Sequence, residues 1–400
     1  MSKHPLCVIS VIMGGLAYQD RMRLLYELDP HVDEHVILTR DDAGEIPTMQ
    51  NTRIIKARHC LRGIFFSLWA GVISVLIIWR GHQKRHWLIN EDFGWFALFL
   101  PRILLRNRVT TCVSLFGQSR SMYIKQAWTE DPYVGILSKK QSKYYARRYW
   151  SQIFSKKIAI SNAHAIIGNS NSIRDDIQKV DPHKPTITIP NSVTLQALQT
   201  GPVISTHRTF LYVGVMQPIK GIGLLLEAFS RHSMRRPQDR LILAGRCPSV
   251  DQEWFQNLLG QHRKSGHVEH LQHMAAHELT KIYNECDIFL FPSFYEGSPR
   301  VIGEVMTYGK PVIASDIPGI RVIDPNGFAI QYFPPGNITV MLRLMRELSE
   351  DQTRRKKLGQ TSKKIVANFS HERVALRLSL AYRELMTNTT DQKLNKNRPN

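Results

Sequence analysis

Acidic residues are scarce in this chain. Its 400 residues include 53 lysines and arginines but only 33 aspartates and glutamates, a net charge of +20 with a pI near 9.9. A surface that basic expects anionic company: nucleic acid, anionic lipid head groups or phosphorylated small molecules. Cysteine is also sparse. Cys7, Cys60, Cys112, Cys247 and Cys286 are scattered, odd in number and without a CxxC pair or a Cys/His ligand spacing, which argues against a disulfide framework and a structural zinc site. No repeat of solenoid period is present. The opening apolar stretch, Leu6 to Met13, is too short for a signal peptide and no small-residue cleavage site follows it, so it reads as a first buried strand. The expected location is the cytoplasm.

What the chain does have is a globular composition, 43% hydrophobic and 22% charged, and a length that suits two domains of roughly 180 residues each. Residues 63–79, GIFFSLWAGVISVLIIW, carry no charge and are flanked by Arg62 and Arg80. A spanning helix wants about 20 apolar residues. This segment is therefore read as a buried helix, as an interfacial helix lying on a bilayer, or as a marginal span. Basic residues follow at Arg80, Lys84 and Arg85 and again at Arg102, Arg106 and Arg108. From Lys139 to Lys157 seven cations occur without an acid, interleaved with Tyr144, Tyr145, Tyr149, Trp150 and Phe154. That mixture suits an anionic membrane surface, a nucleic-acid groove or a solvated helix face.

Short β-rich runs alternate with longer helical ones, the pattern of α/β domains with parallel sheets. Strands are predicted at Leu6–Met13, Glu34–Leu38, Arg53–Ile55, His86–Ile89, Val109–Leu115, Ala165–Asn169 and Thr186–Ile189. A second series follows at Phe210–Val213, Leu241–Ala244, His267–Leu271, Ile288–Pro292 and Pro311–Ala314. Helices are predicted between them, for example at Gln19–Leu28, Phe93–Leu105, Gly221–Arg231 and Ala276–Asn284. The expected organisation is a domain over 1–195, a polar linker over 196–207, a second domain over 208–370, a helix over 371–386 crossing back to the first domain, and a disordered tail over 387–400. Two doubly wound domains in tandem predict a cleft at the carboxyl ends of their strands.

Two passages carry chemistry. In the first, Tyr212-Val-Gly214 ends a strand, and Pro218-Ile-Lys220-Gly221 leads into a helix. Gly214 permits close backbone approach, and Lys220 places a flexible cation near the helix start, a workable phosphate clamp. In the second, a buried strand ends at Pro292-Ser293, and a loop with Glu296, Gly297 and Ser298 follows. Pro299 and Arg300 then open a helix that holds Glu304 and stops at Gly309. Such a helix N-terminus favours an anion. A carboxylate near a phosphate site needs other work, such as accepting from sugar hydroxyls, or else Glu304 serves only the helix dipole.

Taken together, Gly214, Lys220-Gly221, Glu296 and Glu304 separated by seven residues, and Gly309-Lys310-Pro311-Val-Ile-Ala-Ser315 resemble the family 4 retaining glycosyltransferases of the group 1 type, with the GT-B fold. Ala165–Ser170 and Ile187–Ser192 match the end of that family's first domain, and the resemblance runs from about Ala165 to Asp324. It implies two Rossmann-like domains facing each other across a cleft, the first on the acceptor side and the second binding a nucleotide-diphosphate sugar. It also implies a retaining, hexosyltransferase-like activity, with Lys220 on the diphosphate, Glu304 on the ribose, Glu296 on the donor sugar, and Gly297, Ser298, Arg300 and Val301 close to sugar or phosphates. Glu296, Lys220 and Arg300 are the catalytic candidates, and Leu271 to His273 should line the base pocket.

The chain departs from the family at several points. The position after Gly214 is Val215 where an arginine is usual, so Arg300 or Arg246 is the substitute cation. No histidine occurs in Ser114–Tyr123, where Gln118 or Arg120 is left as a donor or acceptor contact. The loop Asp316-Ile-Pro318-Gly319 replaces a glycine pair, and Pro299 lacks an N–H. No Asp-x-Asp triplet occurs, so neither metal nor other cofactor is expected. The expected acceptor is a glycan or a lipid-linked glycan of envelope or exopolysaccharide synthesis, met at the inner membrane face by a peripheral enzyme. The competing readings are a sugar-nucleotide epimerase on the same fold and a non-catalytic basic protein that binds nucleic acid.

Overall fold

The computed structural model describes residues 5–12, 18–40, 48–58, 61, 64–80, 85–92, 97–106, 108–115, 141, 143, 160–196, 207–262, 267–272 and 274–396. The chain forms two compact units. The first takes the described residues of 1–117, 151–192 and 371–400, and the second those of 118–150 and 193–370.

The first unit is built on a parallel sheet of β1 (Cys7–Val11), β2 (Glu34–Arg40), β3 (Thr52–Ala57), β4 (Trp87–Asp92), β5 (Val109–Leu115), β6 (Ala165–Gly168) and β7 (Thr186–Thr188), in the order β3-β2-β1-β4-β5-β6-β7. Every residue of β1, β5 and β6 is buried, as strands covered on both faces require. Helices α1 (Tyr18–Leu28), α2 (Ile64–Arg80), α3 (Phe99–Leu104) and α4 (Asn171–Val180) lie between the strands in the chain. The uncharged stretch is thus helical. At 17 residues α2 is about 26 Å long, and no described helix is long and apolar enough to cross a membrane. Phe66, Ser67, Ala70, Gly71, Ser74 and Ile78 form its buried face, and a Cβ on Gly71 would stand 3.1 Å from the Ala97 carbonyl oxygen.

The last helix, α12 (His371–Lys396), belongs to this first unit. Its Val374, Ala375, Leu378, Tyr382 and Leu385 pack into one core with Leu24, Leu25 and Leu28 of α1. Arg383 donates to the His31 carbonyl at 3.1 Å. The helix runs past residue 386, where a disordered tail was expected, and continues to Lys396. Extending a helix that packing has already nucleated costs little, and no glycine or proline interrupts it before Pro399.

The second unit carries β8 (Thr209–Val213), β9 (Arg240–Ala244), β10 (His267–Leu271), β11 (Ile288–Phe291), β12 (Val312–Ser315) and β13 (Ile330–Phe333), in the order β10-β9-β8-β11-β12-β13, all parallel. Its helices are α5 (Ile222–Ser233), α6 (Gln252–Gln261), α7 (Ala276–Glu285), α8 (Arg300–Thr307), α9 (Pro318–Arg321), α10 (Ile338–Glu350) and α11 (Gln352–Val366). Strand β13 was not expected from the sequence. It is only four residues long, and the Asp324 carboxylate sets its start by accepting from the N–H groups of Phe328, Ala329 and Ile330.

Two stretches depart from the expected domain division: residues 193–195 lie in the second unit, and so do Gln141 and Lys143. Gln141 was expected in the first domain but lies in the second unit, where its amide donates to the buried Asp251 carboxylate at 2.9 Å. A buried carboxylate needs such a donor. Most of the expected linker, residues 197–206, lies outside the described residues. In both sheets the strand order reverses beside the first strand, between β1 and β4 and between β8 and β11. In doubly wound sheets ligands bind at the carboxyl ends of the strands at that reversal.

Candidate active site

The reversal in the second unit lies between the ends of β8 and β11, and the two motif loops leave the sheet there. After β8 the chain passes Gly214, where a Cβ would stand 2.5 Å from Tyr212 Oη. The Gly214 carbonyl is approached in turn by Gly245, whose own Cβ would come within 2.0 Å of it. Tyr212 Oη donates to the Val215 carbonyl at 3.3 Å, and burial followed by nearby Glu296 holds its pKa well above the usual phenol value. The chain then makes a tight turn, Pro218–Lys220, and reaches Gly221 at φ +69°. A Cβ on Gly221 would stand 2.2 Å from the Pro292 carbonyl oxygen, so only glycine lets this turn rest on the end of β11.

Hydrogen bonds fasten the two loops together. Phe294 N–H donates to the Ile219 carbonyl at 3.0 Å, and buried Ser293 Oγ lies 3.1 Å from the Tyr295 carbonyl and 3.4 Å from that of Ile219. A third loop backs them. Gly319 passes so close that its Cβ would lie 2.0 Å from the Glu296 carbonyl oxygen and 2.6 Å from that of Gly297. Arg321 pins this third loop by gripping Asp316 at 2.6 and 2.8 Å, which holds the Asp316 pKa below the usual carboxylate value, and by stacking 3.9 Å over the Tyr332 ring.

Lys220 Nζ therefore meets Glu296 Oε1 at 2.6 Å, with side chains only 16% and 13% exposed. The sequence separates these residues by 76 positions, and the fold brings them together at the switch point.

Helix α8 opens at Pro299, which occupies the N-cap, and runs through Arg300, Val301 and Glu304. Gly309 closes the turn at φ +68°, as its position in the sequence predicts. Glu304 is not in the first turn of α8, so the dipole role is not the one it fills. Its Oε2 accepts from Tyr283 Oη at 3.0 Å, while the Arg300 guanidinium stands 3.8 Å from Oε1. Burial lowers the Arg300 pKa and Glu304 opposes that shift. Tyr283 is nearly buried, and burial followed by Glu304 raises its pKa well above the usual value, so it stays a donor. Sequence reasoning missed Tyr283. It sits on α7, outside both motifs, and a tyrosine's need for a polar partner when buried was the only signal.

The substitute cations differ in placement. Arg300 faces Glu304, whereas Arg246 is exposed at the end of β9, where its carbonyl accepts from Met216 N–H at 3.0 Å. Leu271 ends β10 and accepts from Gly245 N–H at 2.8 Å. His273, Gln118 and Arg120 lie outside the described residues, as do all but Lys143 of the cations in the Lys139–Lys157 window. Among the described residues no group of three or more His, Cys, Asp or Glu side chains is placed to hold a metal ion.

Residues 199–365 match the family model for glycosyl transferases group 1. The second unit is a group 1 glycosyltransferase domain. Among curated relatives, a D-inositol 3-phosphate glycosyltransferase of Corynebacterium efficiens is 28% identical over 184 residues, 45% of this chain and 43% of that protein. The O-antigen chain mannosyltransferase B of Escherichia coli is 33% identical over 125 residues, covering 29% of this chain and 32% of its own. The chain spans about half the length of the curated relatives it matches, 43% and 57% for two inositol-phosphate enzymes. Solved structures extend the likeness beyond the group 1 domain. Sucrose-phosphate synthase from Thermosynechococcus elongatus aligns with a TM-score of 0.70 at 18% identity, over 96% of this chain and 99% of that one. Anabaena HepE, solved with UDP and glucose, aligns at 0.63 and 16%, over 95% and 100%. At these identities the likeness shows the fold, GT-B with two parallel-sheet α/β domains.

Proposed function

We propose that this protein is a retaining glycosyltransferase that moves a sugar from a nucleotide diphosphate to a glycan or lipid-linked acceptor in envelope or exopolysaccharide synthesis, working peripherally at the inner membrane face. The observation that carries the reading is the Lys220–Glu296 pair, held at 2.6 Å where the β8 and β11 loops meet. A half-buried cation at that point suits a diphosphate, and a carboxylate beside it suits sugar hydroxyls. Glu304, oriented by Tyr283 and Arg300, is the acceptor for ribose hydroxyls. Gly214, Gly297, Ser298 and Val301 complete the donor side. The relatives, an O-antigen mannosyltransferase and an inositol-phosphate glycosyltransferase, support the same class of reaction, and the HepE complex with UDP and glucose the same class of donor.

In the proposed reaction the bond between the anomeric carbon and the diphosphate oxygen breaks, and its electron pair leaves with the diphosphate. Lys220, Arg300 and the N-terminus of α8 stabilise that charge without a metal or other cofactor. The acceptor oxygen attacks from the face the diphosphate leaves, and its proton passes to the departing phosphate oxygen, which gives retention.

The test is thermal stabilisation by UDP, GDP, ADP and their sugar conjugates, on wild type beside Lys220→Ala. A ligand that binds only the folded state raises its stability with concentration. One nucleotide class should shift the wild type and not the variant, and Lys220→Ala and Glu304→Ala should each lower turnover at least about tenfold with the fold intact. No shift by any nucleotide, or wild-type turnover in both variants, would refute the reading. Release of free nucleotide without an acceptor would favour an epimerase.

A further inference from the structure

Helix α2 carries large apolar side chains on its outward side as well as its buried one. Its buried face holds Phe66 and Ile78 together with Ser67, Ala70, Gly71 and Ser74, while Phe65, Leu68, Val72 and Trp79 point to solvent, with Phe65 and Trp79 66% and 71% exposed. A helix on the surface of a soluble domain normally turns a polar face to solvent. The exposed positions follow helical spacing and so share one side of the helix. Neighbouring α3 adds Phe99, Ile103 and Leu104, the last two 58% and 61% exposed. Thirteen large apolar side chains are exposed among the described residues, and seven of them fall between residues 64 and 104. Exposed apolar surface concentrated in this way marks a contact face.

Charge identifies the occupant. Neither helix contains an acid; Arg80 ends α2, Arg102 lies in α3, and Arg106 follows it, exposed. Apolar and aromatic side chains edged by arginines match the boundary between head groups and acyl chains in an anionic bilayer. With about 26 Å of length and no described helix able to span, such a helix lies in the plane of the surface. We propose that the outward face of α2 and α3 docks this protein on an anionic phospholipid surface. The proposal gives the membrane-side acceptor a docking face, and because its test involves no transfer chemistry, either reading can fail alone.

The experiment is flotation of the full chain with vesicles of phosphatidylcholine, alone or mixed with phosphatidylglycerol. Wild type should float with the mixed vesicles and not with phosphatidylcholine, and added salt should weaken binding. Phe65→Ser/Trp79→Ser/Ile103→Ser and Arg80→Ser/Arg106→Ser should each bind the mixed vesicles at least about tenfold more weakly. All three substituted apolar side chains are exposed, so melting temperature and nucleotide-induced stabilisation should match wild type. Failure of the wild type to float, equal binding to both vesicle types, or wild-type binding by either variant would overturn the proposal. So would sedimentation of the wild type as a dimer that the apolar variant dissociates, since a second copy would then cover the face.

Discussion

Glu304 presents its carboxylate between a phenol and a guanidinium, with Tyr283 Oη at 3.0 Å and Arg300 at 3.8 Å. A hydrogen bond to a charged group is worth about 1.5–3 kcal/mol, so losing the phenol should loosen the carboxylate without unfolding the domain. Tyr283→Phe is expected to raise KM for the donor about tenfold while kcat changes little, as steady-state kinetics would show. Unchanged donor affinity would mean that Glu304 needs no positioning. Elsewhere, fully buried His35 has Nε2 2.9 Å from Ser10 Oγ and Nδ1 3.2 Å from Thr52 Oγ1. Burial lowers its pKa from 6.5 to about 4, with Asp29 opposing and Arg21 reinforcing the shift. Because the folded value is the lower one, this contribution to stability is complete above pH 6.5 and is lost as pH falls toward 4, by about 3 kcal/mol in all. Urea unfolding across that window should show the decline, and His35→Gln should flatten it.

At the scale of elements, the site depends on glycines that allow loops to touch. Gly221 combines φ +69° with a Cβ position 2.2 Å from the Pro292 carbonyl oxygen, so Gly221→Ala meets both backbone strain and a backbone clash. The expected cost is about 2–3 kcal/mol in urea unfolding, with loss of nucleotide-induced stabilisation because Lys220 moves away from Glu296. A variant that keeps both stability and the nucleotide shift would show that the turn has room to adjust. The motifs on these loops were legible because each pairs a strand end with a turn residue and a helix start at fixed spacing. Tyr283 was not, since a contact from α7 to α8 leaves no trace in either motif. Strand β13 was missed for a related reason: four residues carry too little periodicity, and its start is set by Asp324, a carboxylate that sequence pattern alone does not link to three backbone N–H groups. The helix over 64–80 could be read from the run of apolar residues, but not which side faced the core, because all sides are apolar.

For the whole molecule, the chain's final helix contributes to the unit where the chain begins. Val374, Ala375, Leu378, Ala381, Tyr382, Leu385 and Met386 of α12 are all buried, and they share a core with Leu24, Leu25 and Leu28 of α1. At about 1.5–3 kcal/mol for each large apolar side chain buried, their removal costs about as much as the 5–15 kcal/mol of stability typical of a whole domain. The second unit has a separate core, formed by its own sheet together with Met341, Leu344 and Leu348 of α10 and Leu358 of α11. A chain ending at Ser370 is therefore expected to unfold in its first unit and keep the second. In urea, the full chain should lose both units, whereas the shortened chain should show only the transition of the second unit. The donor nucleotide should still raise that transition, because Lys220, Glu296, Tyr283 and Glu304 all lie within the second unit. Loss of the nucleotide response along with α12 would mean that donor binding also requires the first unit.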